Sequence, residues 1–149
     1  MAGVIAALFA IVAAATPHLR IATSASVAEA RRGSIVRLFV DVIPDPKVHV
    51  YAPGAKDYLP IALALAPPSG VTVGKLAYPK SQDLYFEPLK EHVPVYQTPF
   101  RLEQVIRLSP SLNVGQKVTV TGVLNYQACD DVICFNPVSA PVSWTVVVK

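Results

Sequence analysis

From Leu19 to Val148 the sequence repeats one pattern: a short run in which every second residue is apolar, closed by turn residues. In Ser34–Ile43, Val36, Leu38, Val40 and Val42 share one face, while Arg37 and Asp41 share the other with Ile35 and Phe39 between them. Side chains alternate across a strand, so this spacing is that of a half-buried strand. Pro44-Asp45-Pro46 ends the run. The same reading applies to Leu19–Ala25, Pro60–Ala66, Val71–Tyr78, Phe100–Leu108, Lys117–Gln127 and Val142–Val148. About seven to nine such strands at short spacing predict an all-β chain, an immunoglobulin-like antiparallel β-sandwich. The one helix candidate is Val27–Arg32, which Gly33 ends at once. Lys80–Pro94 lacks alternation and reads as a long loop, a feature that in a compact domain is usually functional.

Composition agrees with a single folded unit. The chain has 149 residues, 52% of them hydrophobic and 15% charged, with 14 prolines against 7 glycines. That is enough apolar material for one core, and the many prolines favour strands and turns over long helices. The net charge of +3 is spread along the sequence, with only Arg31-Arg32 adjacent. A clustered basic face, which nucleic-acid binding requires, is missing from the pattern. Val4–Ala15 is an unbroken apolar run, too short to span a bilayer and suited to the core of a secretory signal peptide. Ala13-Ala14-Ala15 supplies the small-residue cleavage pattern, although no Lys or Arg precedes the run. The expected organisation is a signal peptide over residues 1–15 and one domain over residues 16–149.

An exported chain meets an oxidising compartment, and this one carries two cysteines, Cys129 and Cys134. Cys129 follows directly on a strong strand, and four residues separate the thiols. This spacing lets both sulfurs meet across a tight turn. Closing so short a loop stabilises a fold by only about 2 kcal/mol. The placement is therefore a weak one for a structural staple, but spacing alone leaves staple and redox pair both open. Zinc is the poorer fit, because two thiols make half a ligand set and no His lies nearby in sequence.

The segment Tyr126-Gln127-Ala128-Cys129-Asp130-Asp131, with Cys134 and Pro137, resembles the signature of the N-terminal periplasmic domain of the thiol:disulfide interchange protein DsbD family. Val48-His49-Val50-Tyr51-Ala52-Pro53 is similar to the family's Trp-His-x-Tyr stretch, and Gly70-Val71, Tyr78-Pro79 and Val95-Tyr96 follow in the right order. Lys47-Val48 departs from it, standing where Gly-Trp is common. The resemblance implies an immunoglobulin-like fold whose two cysteines, Cys129 and Cys134, are catalytic. They would shuttle electrons between a membrane thiol reductase and thioredoxin-fold periplasmic proteins, as a protein-disulfide reductase. It also implies a cap loop over the disulfide, matched here by Asp83, Tyr85 and Phe86. His49, Tyr51, Tyr126, Asp130 and Asp131 are expected beside the cysteines. No cofactor, metal, nucleic acid or small-molecule substrate is implied, and the domain is expected to be a monomer. Because the sequence stops after Val148-Lys149, the electron source is expected to be another molecule.

Two other functions fit parts of the pattern. One is a non-catalytic binding or adhesion sandwich with a structural disulfide; the other is a metallochaperone, which the scarcity of Met and His disfavours. For an exchange module, the neighbours of the thiols matter. Reactive cysteines usually owe their thiolate to a helix N-terminus or a cation. Here the loop itself supplies Asp130 and Asp131, whose charges disfavour the thiolate. The reduced pair is expected to be a sluggish nucleophile until a partner docks.

Overall fold

Each run with two-residue alternation is a strand in the computed structural model, which describes residues 16–149. The proposed leader, residues 1–15, lies outside the described residues. The strands are β1 (Leu19–Ala25), β2 (Glu29–Ala30), β3 (Ile35–Pro44), β4 (His49–Tyr51), β5 (Ala62–Ala66) and β6 (Val71–Ala77). They continue as β7 (Gln82–Phe86), β8 (Glu91–Tyr96), β9 (Phe100–Leu108), β10 (Lys117–Tyr126), β11 (Ala128–Cys129) and β12 (Val138–Val148). The chain is all-β, as the alternation predicts, and the described residues contain no helix.

One sheet has the order β1-β3-β9-β6 and a second has the order β2-β12-β10-β5. Their inner faces make one core: Val36, Leu38, Val40 and Val42 from β3, Leu102, Ile106 and Leu108 from β9, and Val118, Val120 and Leu124 from β10. Trp144 of β12 belongs to it, and its indole N–H donates to the Phe39 carbonyl at 3.0 Å, tying the sheets together. Gln104 is the polar exception on the inner face of β9. Its amide donates to the carbonyls of Gly74 at 2.8 Å and Val105 at 3.0 Å. The first of these lies where β6 bulges between Val73 and Leu76, which frees a carbonyl for the buried amide.

Two expectations change. Val27–Arg32 is not a helix, because Glu29 and Ala30 pair in parallel with Val147 and Val148. Joining the end of a sheet satisfies more backbone groups than one isolated helical turn. Lys80–Pro94 is not a loop either: β7 and β8 form an antiparallel hairpin, with Asp83 opposite Pro94 and Tyr85 opposite His92. Two prolines disguise the hairpin in sequence. Pro88 lies in its turn, and Pro94 lies in β8, where its carbonyl still accepts the Ala52 N–H at 2.9 Å.

That hairpin belongs to a third sheet, β11-β4-β8-β7, at one end of the sandwich. Two long strands feed it. β10 passes through Gln127 into β11, and β3 passes through the Asp45–Val48 turn into β4. Lys47 in that turn has φ +66°, left-handed backbone that a non-glycine residue holds at a cost of about 1–2 kcal/mol. Glycine holds this backbone without that cost. Lys47→Gly is expected to stabilise the domain by about 0.5–1 kcal/mol, allowing for the extra chain entropy of glycine. A urea midpoint that does not rise with an unchanged slope would count against strain at Lys47.

Candidate functional site

The chemistry starts where β10 gives way to β11. Cys129 is the last residue of β11 and the chain turns back at once. Asp130 N–H donates to the Ile133 carbonyl at 2.9 Å, and Phe135 N–H donates to the Ala128 carbonyl at 2.9 Å. The Asp130 carboxylate accepts the N–H groups of Val132 at 2.7 Å and Ile133 at 2.8 Å. These bonds from Ile133 and Val132 hold its pKa below the usual carboxylate value. The turn built this way brings Cys129 and Cys134 into a disulfide.

The two sulfurs sit in different surroundings. Cys129 is 2% exposed and belongs to a small second core with Tyr51, Ala55, Val93 and Val95. Cys134 is exposed. Both line an open cleft of about 240 Å³ between the disulfide turn and the β7–β8 hairpin. The Tyr51 oxygen is 3.3 Å from Cys129 Sγ and 3.6 Å from Cys134 Sγ. A disulfide carries no proton, so the phenol O–H is the donor. Tyr51 stacks on Tyr58 with ring centroids 4.3 Å apart, and the Tyr58 hydroxyl donates to Glu91. Burial, then the Glu91 charge, pushes the Tyr51 pKa up, and the bond to Glu91 pushes Tyr58 up to about 12. Both phenols therefore keep their protons at neutral pH.

His49 is the cross-strand partner of Cys129 and stands edge-on to Tyr51, with centroids 5.4 Å apart. Burial lowers its pKa against the opposing pull of Asp131 and Asp130, leaving the imidazole neutral at pH 7. His49, Tyr51, Asp130, Asp131 and both cysteines thus share one cleft.

The cap residues divide. Tyr85 and Phe86 form part of the facing wall, but both are exposed, as is Cys134, so the hairpin does not close over the sulfurs. Asp83 turns away from the cleft and takes the His92 ring nitrogen at 2.5 Å. Tyr126 also leaves the expected group. It is fully buried in the main core and its hydroxyl donates to the Pro17 carbonyl at 2.8 Å. The inward phase that β10 imposes at Val118, Val120 and Leu124 decides this, since Tyr126 continues it. His18, without a partner in the sequence reading, stacks on Phe135 at 3.7 Å beside the turn. Sequence reasoning passed over Tyr58 and Glu91. Neither lies in a motif, and only the pairing of β4 with β8 brings Glu91's strand alongside Tyr51's.

His49 gives the site a pH signature. The unfolded chain takes up a proton at this residue near its ordinary pKa of 6.5, whereas the folded domain resists it. Above that pH His49 adds no pH dependence; below it, stability falls with falling pH. The contribution of Asp130 is lost only in stronger acid, below the usual carboxylate range, so the two windows separate. His49→Phe is expected to flatten the decline in urea midpoint between about pH 6.5 and pH 5. An unchanged slope would place the titrating group elsewhere.

The family model described as "Thiol:disulfide interchange protein DsbD, N-terminal" matches residues 19–143. The N-terminal periplasmic domain of ScsB from Proteus mirabilis superposes with a TM-score of 0.57 at 12% identity, covering 89% of this chain and 47% of that one. This chain thus spans about half the length of that structure. The Neisseria meningitidis DsbD N-terminal domain in the reduced form gives a TM-score of 0.50 at 17% identity, covering 80% of this chain and 82% of that one. At these identities the two structures speak for the fold. No curated protein sequence matches the chain. The family match covers most of the residues from Leu19 onward and includes both cysteines, so the chain belongs to the DsbD N-terminal domain family of thiol:disulfide interchange proteins.

Proposed function

We propose that the domain is an extracytoplasmic thiol–disulfide exchange module, acting as a monomer, that passes electrons between a membrane thiol reductase and thioredoxin-fold periplasmic proteins through Cys129 and Cys134. The observation that carries this reading is the unequal burial of the pair: one sulfur is open to a partner and the other is held inside. Exposed disulfides are the ones more readily exchanged.

The asymmetry supports a division of roles. A partner thiolate attacks Cys134 Sγ along the S–S axis. The new partner–Cys134 bond forms as the old bond breaks, and its electron pair leaves on Cys129 Sγ. Tyr51 is placed to donate its O–H to that emerging thiolate, 3.3 Å away in the oxidised state. A second partner thiolate then releases an oxidised partner and leaves Cys134 reduced. In the donating direction the steps reverse, with Cys134 as the attacker and Cys129 as the resolving thiol. Tyr85 and Phe86 serve in this scheme as the cap that limits access from the hairpin side.

Three measurements test the scheme. The Cys129–Cys134 potential is expected to lie above about −300 mV, the region below which structural disulfides fall. Cys129→Ala is expected to trap a mixed disulfide with a thioredoxin-fold protein through Cys134, whereas Cys134→Ala, with only the buried sulfur left, is expected to trap little. A bond below that potential, together with no capture by either variant, would return the domain to a binding role. Replacing both Tyr85 and Phe86 by Ala is expected to speed reduction by dithiothreitol at unchanged urea midpoint. A lower midpoint at unchanged rate would make these rings packing residues.

A further inference from the structure

The cleft around the disulfide carries a sign opposite to that of the whole chain. The domain's sequence has a net charge of +3, yet the residues lining the cleft include Asp130 and Asp131 and no Lys or Arg. Glu91 accepts the Tyr58 hydroxyl behind the Tyr51–Tyr58 stack and does not line the cleft. His49, buried and neutral, supplies no offset. Cys134 is meanwhile open to solvent, and the hairpin does not cover it. Around it Val132, 87% exposed, and Ile133, 55% exposed, form an apolar tip that the Asp130 turn holds in place. The hairpin wall limits approach from one side only, so the open side needs another basis for choosing its reductant.

We propose that the cleft is a charge filter: it slows anionic thiols and favours a thiol carried on a cationic surface, so the partner it fits is a thiol protein with an apolar centre and a basic rim around its reactive cysteine. This rests on the exchange function proposed above. Each attack is the same balanced step, in which R–S⁻ bonds to Cys134 Sγ and Cys129 departs with the electron pair of the broken bond. The rest of R sets the rate. Two carboxylates on a water-exposed cleft act over roughly one Debye length, about 10 Å at 0.1 M salt. Added positive charge on R is drawn in, and added negative charge is held off.

The test uses the oxidised protein and three small thiols of similar size: cysteamine, 2-mercaptoethanol and 2-mercaptoethanesulfonate. Reduction rates are read by acid quench and mass shift, expressed per thiolate, and divided by each thiol's rate on an uncharged linear disulfide. At about 10 mM salt the normalised rates are expected to fall in that order and span about tenfold. The span is expected to shrink to less than about twofold at 0.5 M salt. It should shrink equally in the D130N/D131N variant, where the amide oxygen that replaces the Asp130 carboxylate still accepts the turn's N–H groups. D131N alone, changing an exposed side chain, is expected to remove about half of the effect on a logarithmic scale. Equal normalised rates at low salt, or a span that survives both salt and D130N/D131N, would overturn the filter while leaving exchange intact. Resistance to all three thiols would overturn the exchange function, and the filter with it.

Discussion

The burial of alternate side chains along β3 and β10 sets the position of everything at the redox end. Both strands run through the sandwich with one face turned to the core, and a slip of one residue in either would turn Val40 or Val120 out to water. Moving a valine side chain from core to water costs about 1.5–3 kcal/mol, and four inward residues would move together on β3 alone. The register is therefore fixed along the whole length, including the last residues before each strand leaves for the third sheet. Tyr126 locks that exit on β10 by reaching Pro17, and Trp144 locks β12 to β3. His49 and Cys129 meet as cross-strand neighbours because two independently fixed strands arrive there in phase.

The site is assembled from three stretches that are distant in sequence: the turn and strand around Lys47–Tyr58, the β7–β8 hairpin, and the Cys129–Cys134 turn. Each contributes something different. The first brings the phenol that touches both sulfurs, the second brings a wall and the Glu91 carboxylate, and the third brings the reacting bond. The same turn that joins the cysteines spends one carboxylate on its own backbone, so the charge near the bond is built into the loop's geometry. Removing Asp130 outright would change both at once, and Asn is the substitution that separates them.

Much of this was legible in the sequence where a physical period spoke. The two-residue alternation in Ser34–Ile43, Phe100–Leu108 and Lys117–Gln127 marked the central strands and most of their inward residues. Leu19–Ala25 was legible to both ends. The cysteine segment with its family resemblance pointed to the site, and His49 and Tyr51 came with it. What failed had no period to read. The β7–β8 hairpin has one proline in its turn, another within β8, and one solvent-facing wall, so its sequence resembles a loop. Glu29-Ala30 is a strand only because β12 is there to pair with it. Tyr126 sits in a motif with Cys129 yet takes the opposite face, since strand phase rather than sequence distance decides what touches what. Gln104 occupied an inward position that composition would have assigned to an apolar residue, and the β6 bulge that satisfies it is invisible without the partner strand.

The shortness of the disulfide loop has a thermodynamic consequence. Oxidation and folding form a closed cycle, so the bond can stabilise the fold only by as much as the fold stabilises the bond. A loop of this size limits that mutual amount to about 2 kcal/mol, which for a two-electron couple is about 40 mV. The domain is therefore built to gain and lose electrons as a folded object. Any change that Tyr51 or the carboxylates of the turn make in the potential of the folded domain must reappear, unit for unit, as a difference in stability between its oxidised and reduced forms.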